Sequence, residues 1–575
     1  SSAGRPSIVA LSAKTPEALE GRRHRLAEHL AAHPEIDLAD AALTLALGRA
    51  RMPHRAAVVA DDATAAVELL RRPDPQATAK RTSPATDTRV AFLFTGTGAQ
   101  YLGMGAGLYR SEPVFEAAMR ECAELVGEIE GHDLVDLLYG KHADPDAATD
   151  VLMRTVVGQP AIFALQYALT RLWASWGIEP AVMVGHSVGE LAAACVGGIF
   201  TLEDALRLTT ARGRLIGELP TGAMTAVLAE ESAILPLLND QLSLAAVNGP
   251  EQCVASGTPA AVGELEQRLT AADIPFRRLP IDVAGHSPMM EPVLETLREH
   301  VEQTTRHDLR IPMISTMTGA HASTAEIADP AYWGQHARRT VRFADAIGVL
   351  LAEYPDVALI EIGSGATLAS LARQHPALPP EAAVISTLPA RGIEADDRIH
   401  AHRALAEAWA AGVDVDWEAV SGGRRRRIPL PTYPFARERY WIEAGESDSA
   451  SDTGAPDTLE AAGAITGADE TPGADASPRG IAARITAILA DLSGLQESAL
   501  DPATSFTDLG FDSLFLAQFN SQSRRQFGIR VPLDRLLTAT STIESLAAYI
   551  EAELDSAHAR AGEARATPNA GKPVG

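Results

Sequence analysis

The chain has 575 residues, too many for one ordinary domain, and its hydrophobic content of 46% can build several cores, so three or four folded units are expected. A net charge of −26, spread along the chain, repels nucleic acid and excludes it as a partner. Cys122, Cys195 and Cys253 form no CxxC pair and no apolar run approaches membrane length, which argues against a disulfide framework, a zinc site and a membrane span.

Residues 1–88 read as a small α/β unit, with strands over Ser7–Ser12 and Ala56–Ala60 and a helix over Pro16–His33. The stretch Arg72–Thr88 is polar and rich in Pro, Ala and Thr, which predicts a connector. From Val90 to about Val413, short apolar runs alternate with helical patterns. Val90–Phe94, Ala181–Val184 and Val357–Ile362 have the character of buried strands in a parallel sheet. Between them, Ala223–Leu228, Ser232–Leu238, Ser243–Asn248, Gln252–Ser256, Ala260–Ala271 and Phe276–Ile281 give the order βαββαβ. That order predicts an inserted ferredoxin-like subdomain at about 222–283.

Val182–Val184 runs straight into Gly185-His186-Ser187-Val188-Gly189 and then an alanine-rich helix. A G-x-S-x-G between strand and helix is a nucleophile elbow, in which the turn lifts the serine hydroxyl beside a helix N-terminus. The bland alternative is a structural turn. A nucleophilic serine needs a base, and His286, in Val283-Ala284-Gly285-His286, is the best candidate, although a loop histidine is usually just a surface residue. Arg212 follows the elbow helix. It reads either as a solvated helix arginine or as a fork for a substrate carboxylate. Gly96-Thr97-Gly98 is not a dinucleotide loop, because Tyr101 stands where the third glycine belongs.

Residues 443–477 hold almost only Ala, Gly, Ser, Thr, Asp, Glu and Pro, the composition of a flexible tether. A Gly-rich coil of that length spans about 30–35 Å root-mean-square. Residues 478–555 read as an acidic helical bundle, with helices over Ile481–Leu492, from Asp512–Ser513, and over Ile543–Leu554. Residues 556–575 read as a tail.

Several of these motifs, in this order, resemble the acyltransferase domains of modular type I polyketide synthases and the related malonyl-CoA:ACP transacylases. Phe94–Gln100 resembles the family's F-[PT]-G-Q-G-[AS]-Q, and Gly185–Glu190 its G-H-S-x-G-E. Tyr332-Trp333 with His336–Phe343 resembles the Y-W…R-x-P-V-R-F segment. Leu430–Phe435, ending in Arg439-Tyr440-Trp441, resembles the closing linker that wraps back over the first unit. Leu509–Leu514 resembles the L-G-x-D-S-L of acyl carrier proteins.

The resemblance implies an α/β fold with a hydrolase-like parallel-sheet core at 89–413, a ketosynthase-to-acyltransferase linker at 1–88, a further linker at 414–442, and a four-helix-type carrier bundle. It implies Ser187 as nucleophile, His286 as base, Arg212 as carboxylate clamp and the backbone N–H groups of Val188 and Thr97 as oxyanion hole. His336 is expected to orient His286, and Ser513 to carry 4′-phosphopantetheine. Thr97 departs from the family's glutamine, which puts the packing at the entrance in question. The implied partners are an acyl-CoA, the chain's own carrier, neighbouring ketosynthase or downstream domains, and a phosphopantetheinyl transferase, with no membrane and no nucleic acid; the location is cytoplasmic.

The acyl group is less determined. Family members with H-A-F-H before the histidine tend to select malonyl, and those with Y-A-S-H methylmalonyl; Val283-Ala284-Gly285-His286 resembles the pattern of ethylmalonyl and larger units. Val188, and Arg154-Thr155 with Gln159, lean towards malonyl. The balance favours a C2-alkylated malonyl group, with malonyl and methylmalonyl as alternatives. A hydrolase on the same elbow and a non-catalytic carrier scaffold are the rivals of another class. Arg424–Arg427 reads as a solvated basic run, or as a docking patch for the carrier.

Overall fold

The computed structural model describes residues 5–72, 78–80, 88–393, 395–422, 425–435, 478–493, 500–506, 509, 513–527, 529, 531, 533–536 and 540–565. The N-terminal unit is built on three antiparallel strands, β1 (Ser7–Ala13), β2 (His54–Ala60) and β3 (Thr78–Lys80), in that spatial order. Thr15 caps the helix Pro16–Ala32 by accepting from the Ala18 N–H at 3.2 Å. Two helices not read from the sequence, Leu38–Leu47 and Ala63–Arg71, complete it. The expected connector Arg72–Thr88 is corrected in part, because β3 lies inside it and pairs with β2.

The core of this unit is Val9, Leu11, Leu26, Leu30, Val58 and Leu70, joined by Leu430 from far along the chain. The segment around Leu430 is bonded on as well. Arg49 donates to the Leu430 carbonyl at 3.1 Å, the Ile428 N–H to Thr44 at 3.0 Å, and the Lys14 N–H to the Tyr433 hydroxyl at 3.0 Å. Residues 428–435 therefore form a strap over the first unit. Arg439, Tyr440 and Trp441 lie outside the described residues.

The central unit begins with β4 (Arg89–Phe94) and β5 (Val182–Gly185). The insertion follows with β6 (Ala223–Val227), β7 (Leu242–Gly249), β8 (Gln252–Gly257) and β9 (Phe276–Arg278). The unit closes with β10 (Met313–Ser315), β11 (Ala320–His321), β12 (Val357–Ser364) and β13 (Val384–Leu388). Six of these strands form one sheet in the order β11-β10-β5-β4-β12-β13, parallel except for the antiparallel β10–β11 pair. Phe92, Leu93, Val184 and Ile360 are fully buried, as near-continuous apolar strands covered on both faces require.

The insertion forms a four-stranded antiparallel sheet, β7-β8-β6-β9. Its last strand is shorter than the expected Phe276–Ile281, since Pro280 has no N–H to extend the ladder. The expected helix Ser232–Leu238 is one α turn, Glu231–Ile234, tightening to a 3-10 turn at Leu235–Leu237, where Pro236 sits. Insertion and main sheet are stitched together at one segment. The Val247 N–H donates to the Val341 carbonyl at 2.8 Å, and the Val341 N–H to the Ala245 carbonyl at 2.9 Å.

The C-terminal unit holds helices Pro478–Ser493, Ser513–Phe527, Leu533–Leu536 and Ile543–Arg565 around Ile485, Leu489, Phe506, Phe519, Leu546 and Ile550. The last helix continues ten residues past the expected boundary at 555, through an alanine-rich stretch that favours helix. The tether at 443–477 and Gly510–Asp512 fall outside the described residues. Among the described residues no helix is long and apolar enough to cross a membrane, and no His, Cys, Asp and Glu cluster could hold a metal.

Candidate active site

The elbow is formed as the sequence suggests, but its glycines do another job. Ser187 itself takes the left-handed conformation, φ 51°, while Gly185 and Gly189 leave room for close approach. A Cβ on Gly185 would meet the Glu190 Cα at 2.3 Å, and one on Gly189 the Phe94 carbonyl oxygen at 2.3 Å. Strand β5 ends against β4, and the His186 N–H donates to the Phe94 carbonyl at 2.9 Å, so the turn is fixed on both sides. The helix Gly189–Val196 starts immediately after it.

His286 approaches from the exit of the insertion, also with positive φ, 58°. Its Nε2 lies 2.9 Å from Ser187 Oγ, and its Nδ1 lies 2.7 Å from the Arg339 carbonyl oxygen. A carbonyl only accepts, so Nδ1 carries the hydrogen and Nε2 presents its lone pair to the serine. Burial, then the nearby charges of His336 and Arg212, hold the ring well below its ordinary value, so it is neutral at pH 7. The Arg339 carbonyl is placed by the same stitch that joins insertion to main sheet, reinforced by Thr340 donating to the Leu244 carbonyl at 2.7 Å.

Arg212, on the helix Leu202–Gly217, is buried rather than solvated. It donates to Gln159 Oε1 at 2.6 Å, and its other terminal nitrogen reaches Ser187 Oγ at 3.5 Å. Burial lowers its guanidinium to about 10, which leaves it charged at neutral pH. No carboxylate pairs with it among the described residues. A buried, charged fork beside the nucleophile is a seat for an anionic group.

The role expected of His336 is corrected. The Arg339 carbonyl, not His336, bonds the second nitrogen of His286; the two rings meet edge-on with centroids 6.3 Å apart. His336 instead stands 3.5 Å from the carboxylate of Glu190, which is fully buried. Burial pushes the Glu190 carboxyl up, but His336, Tyr332 and Thr316 together hold it below the usual range. Thr316 donates to it from both N–H (3.0 Å) and hydroxyl (2.7 Å), and Tyr332 adds its own hydroxyl. This cluster braces the helix behind the elbow.

Ser187, His286 and Arg212 open on one cavity of about 450 Å³ between the six-stranded sheet and the insertion. Val283 and Gly285 line it, and a Cβ on Gly285 would meet no atom within 4 Å. The other two expected selectivity positions are corrected. Ala284 is buried beneath the wall against Gly222, and the Val188 side chain packs into the main core, so neither faces the cavity. Thr97 is at the entrance, in a loop anchored by Gln166 donating to the Thr95 carbonyl at 2.7 Å. Neither the Val188 nor the Thr97 N–H donates to another described residue, so both are available to an incoming oxygen. Sequence reasoning missed the pairing of Gln159 with Arg212, the Glu190 cluster and the link from His186 Nε2 to Asn248 at 2.8 Å. Gln159 stood out in the sequence only beside Arg154-Thr155 as leaning towards malonyl, with nothing to pair it with Arg212.

The acyl transferase domain family matches residues 91–409, which include every side chain around the cavity. The chain belongs to that family. The phosphopantetheine attachment site family matches 483–550, and the C-terminal segment family of CurL-like polyketide synthases matches 7–70. This acyltransferase–carrier didomain is homologous to modular type I polyketide synthases. It is 34% identical over 578 residues to a phenolphthiocerol/phthiocerol polyketide synthase of Mycobacterium tuberculosis, covering 98% of this chain and 38% of that one. It is 37% identical over 461 residues to erythronolide synthase EryA2 of Saccharopolyspora erythraea, covering 78% and 13%. The chain thus spans less than two-fifths of the length of these relatives. Among solved structures, the acyl transferase domain of ZmaA aligns with TM-score 0.68 and 34% identity, over 74% of this chain and 99% of that one. That of SpnD, in complex with 2-(pent-4-yn-1-yl)malonyl, aligns with TM-score 0.66 and 36% identity, over 72% and 98%. The carrier's helix Ser513–Phe527 begins at the serine of its L-G-x-D-S-L motif.

Proposed function

We propose that the didomain moves a malonyl-type extender unit from coenzyme A to its own carrier through an ester on Ser187, and that the unit bears a C2-alkyl group of ethyl size or larger. The observation that carries the reading is the 2.9 Å contact from Ser187 Oγ to a neutral His286 with the Arg212 fork in the same cavity. His286 Nε2 takes the hydroxyl proton as Oγ attacks the thioester carbonyl. The Val188 and Thr97 N–H groups receive the oxyanion. The carbon–sulfur bond then breaks, and His286 returns the proton to the departing thiolate. Phosphopantetheine on Ser513 supplies the accepting thiol. In the second half-reaction His286 removes that thiol's proton and gives it back to Ser187 as the ester is cleaved.

Arg212 grips the distal carboxylate of the acyl group, which disfavours acetyl and propionyl donors that would leave the guanidinium buried and unpaired. Gly285 leaves the C2 substituent open space. The four-stranded insertion reads as a ferredoxin-like subdomain, and residues 478–565 as a carrier bundle. The first unit and strap read as linkers to neighbouring assembly-line domains, a ketosynthase among them, and a phosphopantetheinyl transferase loads Ser513. Three unpaired cysteines suit a reducing cytoplasm.

Intact-mass spectrometry of the phosphopantetheinylated protein after exposure to mixed acyl-CoAs tests this. Ser513→Ala should accumulate one acyl group on Ser187, and Ser187→Ala should acquire none on the carrier. Acylation of the Ser187→Ala protein at the wild-type rate sinks the serine mechanism, and release of free acid without carrier labelling identifies a hydrolase.

A further inference from the structure

The charges around the cavity invert those of the whole protein. The chain carries 75 acidic against 49 basic side chains, yet the cavity is lined by Arg212, Arg277 and Arg391 against a single acid, Asp282. Arg212 lies deep, beside the serine, and serves the acyl carboxylate in the reading above. The other two stand on opposite walls.

Arg277 is the middle residue of β9, in the insertion. Its neighbour Arg278 points to the outer face, where Glu266 holds it through two bonds of 2.7 and 2.8 Å. Strand alternation turns Arg277 the other way, to the cavity. Arg391 lies in the loop after β13 and is exposed. The loop is fixed by a turn from the Ile393 N–H to the Ala390 carbonyl and by Tyr101 donating to the Pro389 carbonyl at 3.0 Å. Among the described residues Arg391 forms no hydrogen bond or ion pair. The carrier approaches the same side, with the helix that starts at Ser513 against β9 and the helix Pro478–Ser493 against Thr367–Arg373, whose first residues also line the cavity.

We propose that Arg277 and Arg391 form a phosphate subsite that grips the phosphate of the pantetheine arm. The inference rests on the acyl-transfer reading and deepens it. Donor and acceptor present different bodies, a nucleotide and a protein, but the same arm: a neutral chain with a thiol or thioester at one end and a phosphate at the other. One pair of arginines therefore serves both half-reactions, with Arg212 holding the acyl end in the first.

The test uses the full chain and three donors carrying one acyl group: acyl-CoA, acyl-4′-phosphopantetheine with one phosphate, and acyl-pantetheine with none. In Arg277→Ala and Arg391→Ala the preference for acyl-phosphopantetheine over acyl-pantetheine, as a ratio of kcat/KM for Ser187 acylation, should fall about tenfold or more. The preference for acyl-CoA over acyl-pantetheine should fall alike, and transfer to the phosphopantetheinylated carrier should slow. Arg391→Lys should recover part of the ratio. An unchanged ratio overturns the proposal, including the case where all three donors lose equally. A loss seen only with acyl-CoA also overturns it, since the arginines would then read the nucleotide. Failure of the wild-type protein to acylate Ser187 from any donor is a different result, and removes the acyl-transfer reading itself.

Discussion

Ser187 and His286 both hold positive φ, a conformation costly for residues other than glycine, and the surrounding hydrogen bonds over-determine it. The strain aims two side chains at each other across two sheets. Arg212 completes the set, and its test is direct. Arg212→Ala should lower kcat/KM for dicarboxylic acyl donors about 10–100-fold, the worth of a charge-assisted pair, and narrow their lead over acetyl-CoA. An unaltered lead would show that the fork does not read the acyl end. The open space at Gly285 gives a second expectation. Gly285→Phe should shift loading from ethylmalonyl towards malonyl by tenfold or more, measured in competition; each methylene the ring excludes is worth about 1–3 kcal/mol. An unmoved ratio would remove this position from selection.

Among the elements, the helix Asp397–Ala411 ties the first unit to the main sheet and carries the buried His402 and the half-buried His400. The burial of these rings makes it acid-sensitive. His402, whose Nδ1 lies 2.8 Å from the Arg398 carbonyl, is lowered by burial to about 4, and His400 to about 3. Above about pH 6.5 both are neutral folded or unfolded, and their contribution is intact. Between 6.5 and these folded values the unfolded chain takes up protons that the fold refuses, so stability falls as pH falls. At pH 5 the loss is about 2 kcal/mol for each ring. Glu112, facing His402 at 3.5 Å and bonded to Arg5, is raised by burial and opposes this change. His402→Gln should therefore flatten the fall in Tm between pH 7 and 5; an unchanged slope would mean that the folded ring takes up its proton as readily as the unfolded one.

Across the whole molecule, the sequence spelled out what periodicity and motif carry: the buried strands β4, β5 and β12, the elbow, the insertion's element order and the three longer helices of the C-terminal unit. It was silent where structure is too short to have a period, as in β10, β11 and β3, two or three residues each. It was silent also where the functional atom belongs to the backbone. Every residue has a carbonyl, so nothing marks Arg339 as the one that fixes the tautomer of His286, and His336 attracted the role because its side chain is conspicuous. Ala284 and Val188 misled similarly, since adjacency in the chain to a catalytic residue says nothing about which side of the wall a side chain occupies.

The strap 428–435 has a bearing on how such units can be exchanged. Leu430 lies among Leu11, Leu26 and Leu30, so the two flanks of the catalytic unit share one apolar interior although they are nearly the whole unit apart in the chain. A chimera that took its leading flank from one synthase and its trailing flank from another would close that interior with halves that never co-evolved, however well the catalytic centre was transplanted. Grafts cut outside both flanks carry the interior intact.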